Sequence, residues 1–170
     1  MYCPNCGHLN FPGDEACRNC QQSLTSFDVP VPHDRVEEHL ANDPVSALKP
    51  QKPVTVLADA NLGHVMQTML SAGVGAVLVT DEAGALIGIV TERDFLTRIA
   101  GQPGLAALPV RDFMTPNPET VLMTDTLAFA LGKMDVRGYR HLPVVDAGHP
   151  VGVISVRDIL RHVTSLFREG

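Results

Sequence analysis

From Val54 the chain alternates short apolar runs with stretches of helical spacing, and the same order returns from Thr120. A brief β run at 54–57 is followed by Leu62, Val65, Met66, Met69 and Leu70, the i, i+3, i+4 spacing of an amphipathic helix. Asp59 is the candidate N-cap and Gly73 the candidate stop. Residues 76–80 and 86–90 then read as two short strands around an acidic turn ending in glycine. A second helix is predicted from Thr91, turning Phe95 and Ile99 inward. The second copy repeats this plan. It predicts a strand at 120–122, a helix bearing Leu127, Ala130, Leu131 and Met134, and strands at 142–145 and 151–154. Its candidate cap is Asp125, its stop Gly138, and its closing helix starts at Ser155 with Ile159, Leu160 and Val163 inward.

Thr55 aligns with Thr120, Gly73 with Gly138 and Val79 with Val144, each 65 residues on; Asp94 aligns with Asp158 after one residue is lost in the turn. The expected fold class is therefore α/β, two tandem β-α-β-β-α units. Two copies of one supersecondary unit imply that neither buries its apolar face alone. Their seam is where function is expected. The boundaries read as 1–24 for a cysteine-rich module, 25–42 for a linker, 43–104 for the first repeat and 105–170 for the second. In the linker, Phe27-Asp-Val-Pro30-Val-Pro32 reads as an extended tether, because proline fixes its own φ and restricts its predecessor. Residues 34–40 predict one or two helical turns capped by Asp34, and residues 43–48 a further short turn.

Composition narrows the choices. Apolar residues make up 45% of 170, but aromatic residues only 5% and there is no Trp, so the core rests on aliphatic side chains and Met. The formal net charge of −6 argues against a global field that would draw the chain to nucleic acid or an anionic membrane. Neither a signal peptide nor an apolar run of membrane-spanning length is visible, and the chain reads as cytoplasmic.

All four cysteines fall in the first 20 residues, as Cys3-x-x-Cys6 and Cys17-x-x-Cys20. Each pair brings two thiolates close enough to share one ion, and two pairs complete a tetrahedral all-sulfur set. Zn2+ fits this set, with iron the competing ion. Four thiolates leave no coordination position for water, so the expected role is structural and not catalytic. The segment Tyr2-Cys-Pro-Asn-Cys-Gly-His-Leu-Asn10 with Ala16-Cys-Arg-Asn-Cys20 resembles the short zinc-ribbon modules of prokaryotic proteins. His8 reads as a surface residue of the knuckle loop. His39, His64, His149 and His162 lack partners at ligand spacing and also read as surface residues.

The β-α-β-β-α order carries four recurring segments: Gly88-Ile-Val-Thr-Glu-Arg-Asp94, Gly152-Val-Ile-Ser-Val-Arg-Asp158, Arg111-Asp-Phe-Met-Thr-Pro116 and Tyr139-Arg-His-Leu-Pro-Val-Val-Asp146. Together they resemble the CBS domain, and the tandem resembles a CBS pair, or Bateman module, over roughly 43–168. That resemblance implies a regulatory module binding an adenosyl compound, AMP, ADP, ATP or S-adenosylmethionine, in the cleft between the copies. It implies phosphate contact by Thr91 and Ser155, ribose contact by Asp94 and Asp158, phosphate contact by Arg140 and His141, and a place for Thr124 facing the Asp94 half. A helix start directly after a strand suits an anion on physical grounds as well, since its amides are unpaired and its dipole end is positive. The same Thr91/Asp94 and Ser155/Asp158 pairs also match a capping box, which by itself explains both. Arg93 and Arg157 can reach phosphate or simply pair with the aspartate that follows.

The copies differ at one place. Where the second has Tyr139-Arg140-His141, the first has Val74-Gly75-Ala76, and the counterpart of Thr124 is Asp59. One stronger phosphate site, on the second copy, is expected. Three functions compete. The first is a nucleotide sensor that signals to a protein partner, through the zinc ribbon or a homodimer formed by the CBS helices. The second is a DNA- or RNA-binding regulator reading through the ribbon, with the pair as dimeriser. The ribbon offers Arg18 as its single Lys or Arg, a poor phosphate footprint. The third is an enzyme. The sequence shows no nucleophile–base pair, open metal site or phosphate-binding loop, and the chain reads as non-enzymatic.

Overall fold

In a computed structural model the chain is described at residues 2–3, 5–11, 14–22, 24 and 34–167. The expected tether at 27–32 lies outside the described residues. Two compact units are formed: 1–48 with 124–140 and 156–170, and 49–123 with 141–155.

The second unit holds the sheets. Strand β1 (Thr55–Leu57) pairs in parallel with β2 (Ala76–Thr80), which pairs antiparallel with β3 (Leu86–Thr91), which meets β4 (Thr115–Pro116). Helix α2 (Leu62–Ala72) buries Leu62, Val65 and Met69 against Val56, Val77, Val79, Val90, Ile99 and Val110. Helix α3 (Glu92–Asp94) passes at once into a π-turn, Phe95–Ile99, and stops before Gly101, whose φ of +89° suits glycine. Later in the chain β5 (His141–Asp146) and β6 (His149–Ser155) form an antiparallel pair. Single bridges from Val121, parallel to Val144, and from Gln51, antiparallel to Val153, flank them. The order is that of the first sheet, with its two outer strands reduced to one residue each. Both hairpins slip register at the same place, Val79/Thr80 and Val144/Val145.

The expected strand at 120–122 is thus a single bridge. In the first repeat the Leu78 amide donates to the Val54 carbonyl at 2.9 Å. Pro143 occupies the position equivalent to Leu78 and has no N–H to give. The expected caps are also displaced. The Ala60 amide closes a turn on the Leu57 carbonyl, so Asp59 is spent in that turn, and Asn61 caps α2 by accepting from the His64 amide. In the second repeat Thr126, not Asp125, caps α4 (Leu127–Arg137) by accepting from Phe129. Gly73 and Gly138 end these helices in the left-handed region, as the sequence predicts. Met66, Leu70 and Leu160 point outward and do not join the core; Leu70 is 80% exposed. Their helices bury a narrower stripe than the spacing alone implies.

From residue 34 on, the described part of the first unit is mainly helical. Helix α1 (Arg35–Asn42) is capped by Asp34, which accepts from the Glu37 amide at 2.9 Å. A 3-10 turn, Val45–Leu48, follows. With α4 and α5 (Val156–Leu166) it buries Val45, Leu127, Ala130, Met134, Ile159 and Leu166. The chain crosses between repeats in both directions. Residues 43–45 hydrogen-bond at the α4 start, through Val45 N–H to Asp125 and Leu127 N–H to Asp43. Conversely, Leu108 and Val110, from the second repeat, bond to Leu62 and Ala60 of the first.

Candidate functional site

The four cysteines converge. Cys3 and Cys20 place their sulfurs 3.6 Å apart, Cys6 and Cys17 3.5 Å apart, and all four lie within 4.8 Å of one another. A tetrahedral thiolate site with Zn–S near 2.3 Å has edges of about 3.8 Å, whereas a disulfide needs about 2.05 Å. The separations fit a shared ion and not a disulfide, and all four cysteines are free. Two like knuckles build the site. In each, the amide after the second cysteine of a pair returns to the carbonyl of the first, Gly7 to Cys3 and Gln21 to Cys17, at left-handed φ. Burial pushes the Cys3 thiol up to about 11. At Cys17 burial also raises the thiol, but the amides of Cys20 and Asn19 outweigh it and hold the group at about 6. Cys20 is lowered chiefly by the Gln22 amide.

Asn10 escaped the sequence reading. It is buried, donates to the His8 carbonyl at 2.9 Å and to the Cys17 sulfur at 3.6 Å, and accepts from the Arg18 amide at 3.0 Å, so it ties one knuckle to the other. Its nearness to the cysteines in sequence was the available signal. Arg18 itself lies on Asp14 at 3.0 Å and 4.8 Å above the Phe11 ring.

At the first helix start Thr91 gives both its N–H and its O–H to Asp94 Oδ2, at 2.8 and 2.7 Å. Arg98 lies 3.6 Å from the other oxygen. Asp94 is therefore engaged within its own turn, as the capping reading holds. At the second start Asp158 accepts from Arg161 at 3.2 Å, Ser155 and Asp158 are half-buried, and Arg157 is exposed. Each strand entry is tied to the following helix start by one bond. Glu92 N–H donates to the Gly75 carbonyl at 3.0 Å, and Val156 N–H to the Arg140 carbonyl at 3.1 Å. The exposed Arg140 is so held beside the α5 N-terminus, and His141 pairs with Ser155 across β5 and β6. Thr124 is exposed, two residues before the Thr126 cap.

Gly75 shows what fills the first-copy position. A Cβ there would lie 3.2 Å from His141 Nε2, 3.2 Å from the Glu92 carboxyl carbon and 3.3 Å from its Oε1. A carboxylate thus borders the first strand entry, where the second copy has Val156 at the position aligned with Glu92. Sequence reasoning missed Glu92, whose place beside Gly75 depends on the pairing of β2 with β3, Ala76 opposite Thr91.

The CBS domain family model matches residues 45–101 and 110–165, more than half of the chain. The protein belongs to the CBS domain family. Among curated relatives, a CBS domain-containing protein of Arabidopsis thaliana is 35% identical over 117 residues, covering 68% of this chain and 22% of that protein. The chain therefore spans about a fifth of the length of such relatives. Among solved structures, the CBS-domain protein ATU1752 from Agrobacterium tumefaciens shares 32% identity at a TM-score of 0.64, covering 69% of this chain and 94% of that one. A CBS domain protein from Pyrobaculum aerophilum, solved in complex with AMP, shares 30% identity at a TM-score of 0.63, covering 72% and 98%. The mixed α/β fold of tandem repeats agrees with these neighbours. Among the described residues no helix is long and apolar enough to cross a membrane.

Proposed function

We propose that this CBS pair is a regulatory module binding an adenosyl nucleotide through the strand entry and helix start of its second repeat. The AMP complex of the Pyrobaculum protein supports the ligand class. The observation that carries the placement is the Val156–Arg140 backbone bond, which holds a guanidinium-bearing residue at the N-terminus of an eleven-residue helix. In this reading Arg140 takes phosphate with His141 as a second donor, Ser155 takes phosphate at the helix start, and Asp158 takes the ribose diol. Arg157 lies at the rim. Thr91, Asp94 and Thr124 form the weaker half, where no arginine stands at the strand entry and Glu92 adds negative charge. The thiolate cluster holds a structural Zn2+, and the ribbon or a homodimer of CBS helices passes the bound state to a protein partner. The nucleic-acid reading gains no support, since Arg18 is taken up by Asp14.

Calorimetry against AMP, ADP, ATP, NAD and S-adenosylmethionine tests this. At least one is expected to bind, and Arg140→Ala and Asp158→Ala each to weaken it tenfold or more. Binding unchanged in both variants would remove the proposed site.

A further inference from the structure

A second cluster of ligating side chains lies outside the thiolate set and outside both helix starts. His39 Nδ1 is 3.0 Å from Asp43 Oδ2, and His162 Nε2 is 2.7 Å from the same oxygen. The donor atoms of the three residues all lie within 4.8 Å of one another. His39 and His162 stand 123 positions apart and looked partnerless in sequence; the fold brings them together. Each is fixed independently. His39 sits in the last turn of α1, Asp43 follows with its N–H on the His39 carbonyl at 2.7 Å and its carbonyl accepting from Leu127 at 2.9 Å, and His162 projects from α5. The side chains keep 33%, 24% and 19% of their exposure, so an ion can enter and water can complete its shell.

We propose that His39, Asp43 and His162 form a divalent transition-metal site, with His39 Nδ1, His162 Nε2 and an Asp43 carboxylate oxygen as ligands. Two neutral imidazoles and one carboxylate carry a single negative charge, which suits a divalent cation. Nitrogen-rich mixed ligation selects zinc and its later first-row neighbours over calcium or magnesium. Ligands about 2.0–2.1 Å from a tetrahedral ion stand roughly 3.3 Å apart, so the present 2.7 and 3.0 Å need to open by only about 0.3–0.7 Å. No net proton need be lost, because each ring moves its N–H to its other nitrogen as the lone pair turns to the ion. Three protein ligands leave at least one position open, unlike the closed thiolate set.

The whole protein, purified with its cysteine-bound metal in place, is titrated with cobalt chloride. One further ion per chain is expected to bind, with the weak visible bands of nitrogen and oxygen ligation and no added sulfur charge-transfer band. His162→Gln and His39→Gln, on different helices, are each expected to abolish this ion while leaving the cysteine-bound one. Equal cobalt uptake by wild type and by either variant, if that variant melts at the wild-type temperature, would overturn the site. So would the absence of any uptake by wild type, leaving the trio a hydrogen-bonded clasp.

Discussion

At the scale of single residues, two glycines one repeat apart do the same work. Gly152 on β6 faces the Pro50 ring, where an added Cβ would come within 2.7 Å of a ring carbon. Gly88 on β3 faces the Met114 side chain, and an added Cβ would overlap its sulfur. In each case the absent side chain seats the segment that crosses from the other repeat. The partners differ in give. A proline ring cannot swing aside, whereas a thioether can. Gly152→Ala is therefore expected to cost about 1–3 kcal/mol, the usual range for overpacking, and Gly88→Ala less. Urea unfolding of both variants reads the difference, and an equal or reversed order would contradict this account. The Asp43 carboxyl illustrates the same local logic in charge. Burial pushes its pKa up, but hydrogen bonds from His162 and His39 outweigh that and hold it below the ordinary carboxylate value.

At the scale of elements, the N-caps separate the two possible assignments of α2. If Asn61 caps it, Asn61→Ala should lose about 1 kcal/mol, and Asp59→Ala less than half as much. Thermal unfolding with both variants decides it, and the reverse order would restore the assignment read from sequence. That error is instructive. The strand–helix–strand–strand order was legible because hydrophobic period and glycine stops are local signals, and Gly73, Gly138 and Thr91 fell where they were expected. The cap was misplaced because a turn consumes residues 57–60 before the helix can begin, and nothing in the apolar pattern counts them. The shortened second-repeat strand had a visible cause in Pro143, but its effect needed the register with Leu78 of the other copy. The gathering of the four cysteines was legible from spacing alone. The His39–Asp43–His162 cluster was not, since it depends on where α1 and α5 meet.

At the scale of the whole molecule, the metal and the nucleotide proposed above are expected to act on different parts of the chain. The described residues of the cysteine-rich module bury only Cys3, Cys17, Leu24 and Asn10 beside a half-buried Cys20, a core so small that the proposed ion is expected to hold it together. Stripping that proposed ion with a strong chelator is expected to abolish amide protection in residues 5–11 and 14–22 while β2, β3 and β5 keep theirs, as hydrogen exchange would show. The repeats, by contrast, are built around aliphatic cores that need no ion, and in the reading proposed above their mismatches decide how many nucleotides bind. In the first, Gly75 leaves no arginine at the strand entry, and its empty side is closed by Glu92 and His141. In the second, Arg140 is tied to the start of α5 and Val156 stands where Glu92 would be. A phosphate brought to the first copy meets a carboxylate; brought to the second, it meets a guanidinium and the positive end of a helix. Calorimetry should therefore return one nucleotide per chain, weakened tenfold or more by Arg140→Ala and indifferent to Asp94→Asn. Two equivalent sites per chain would mean that Glu92 and the missing arginine do not govern binding, and that the repeat is functionally as symmetric as its alignment.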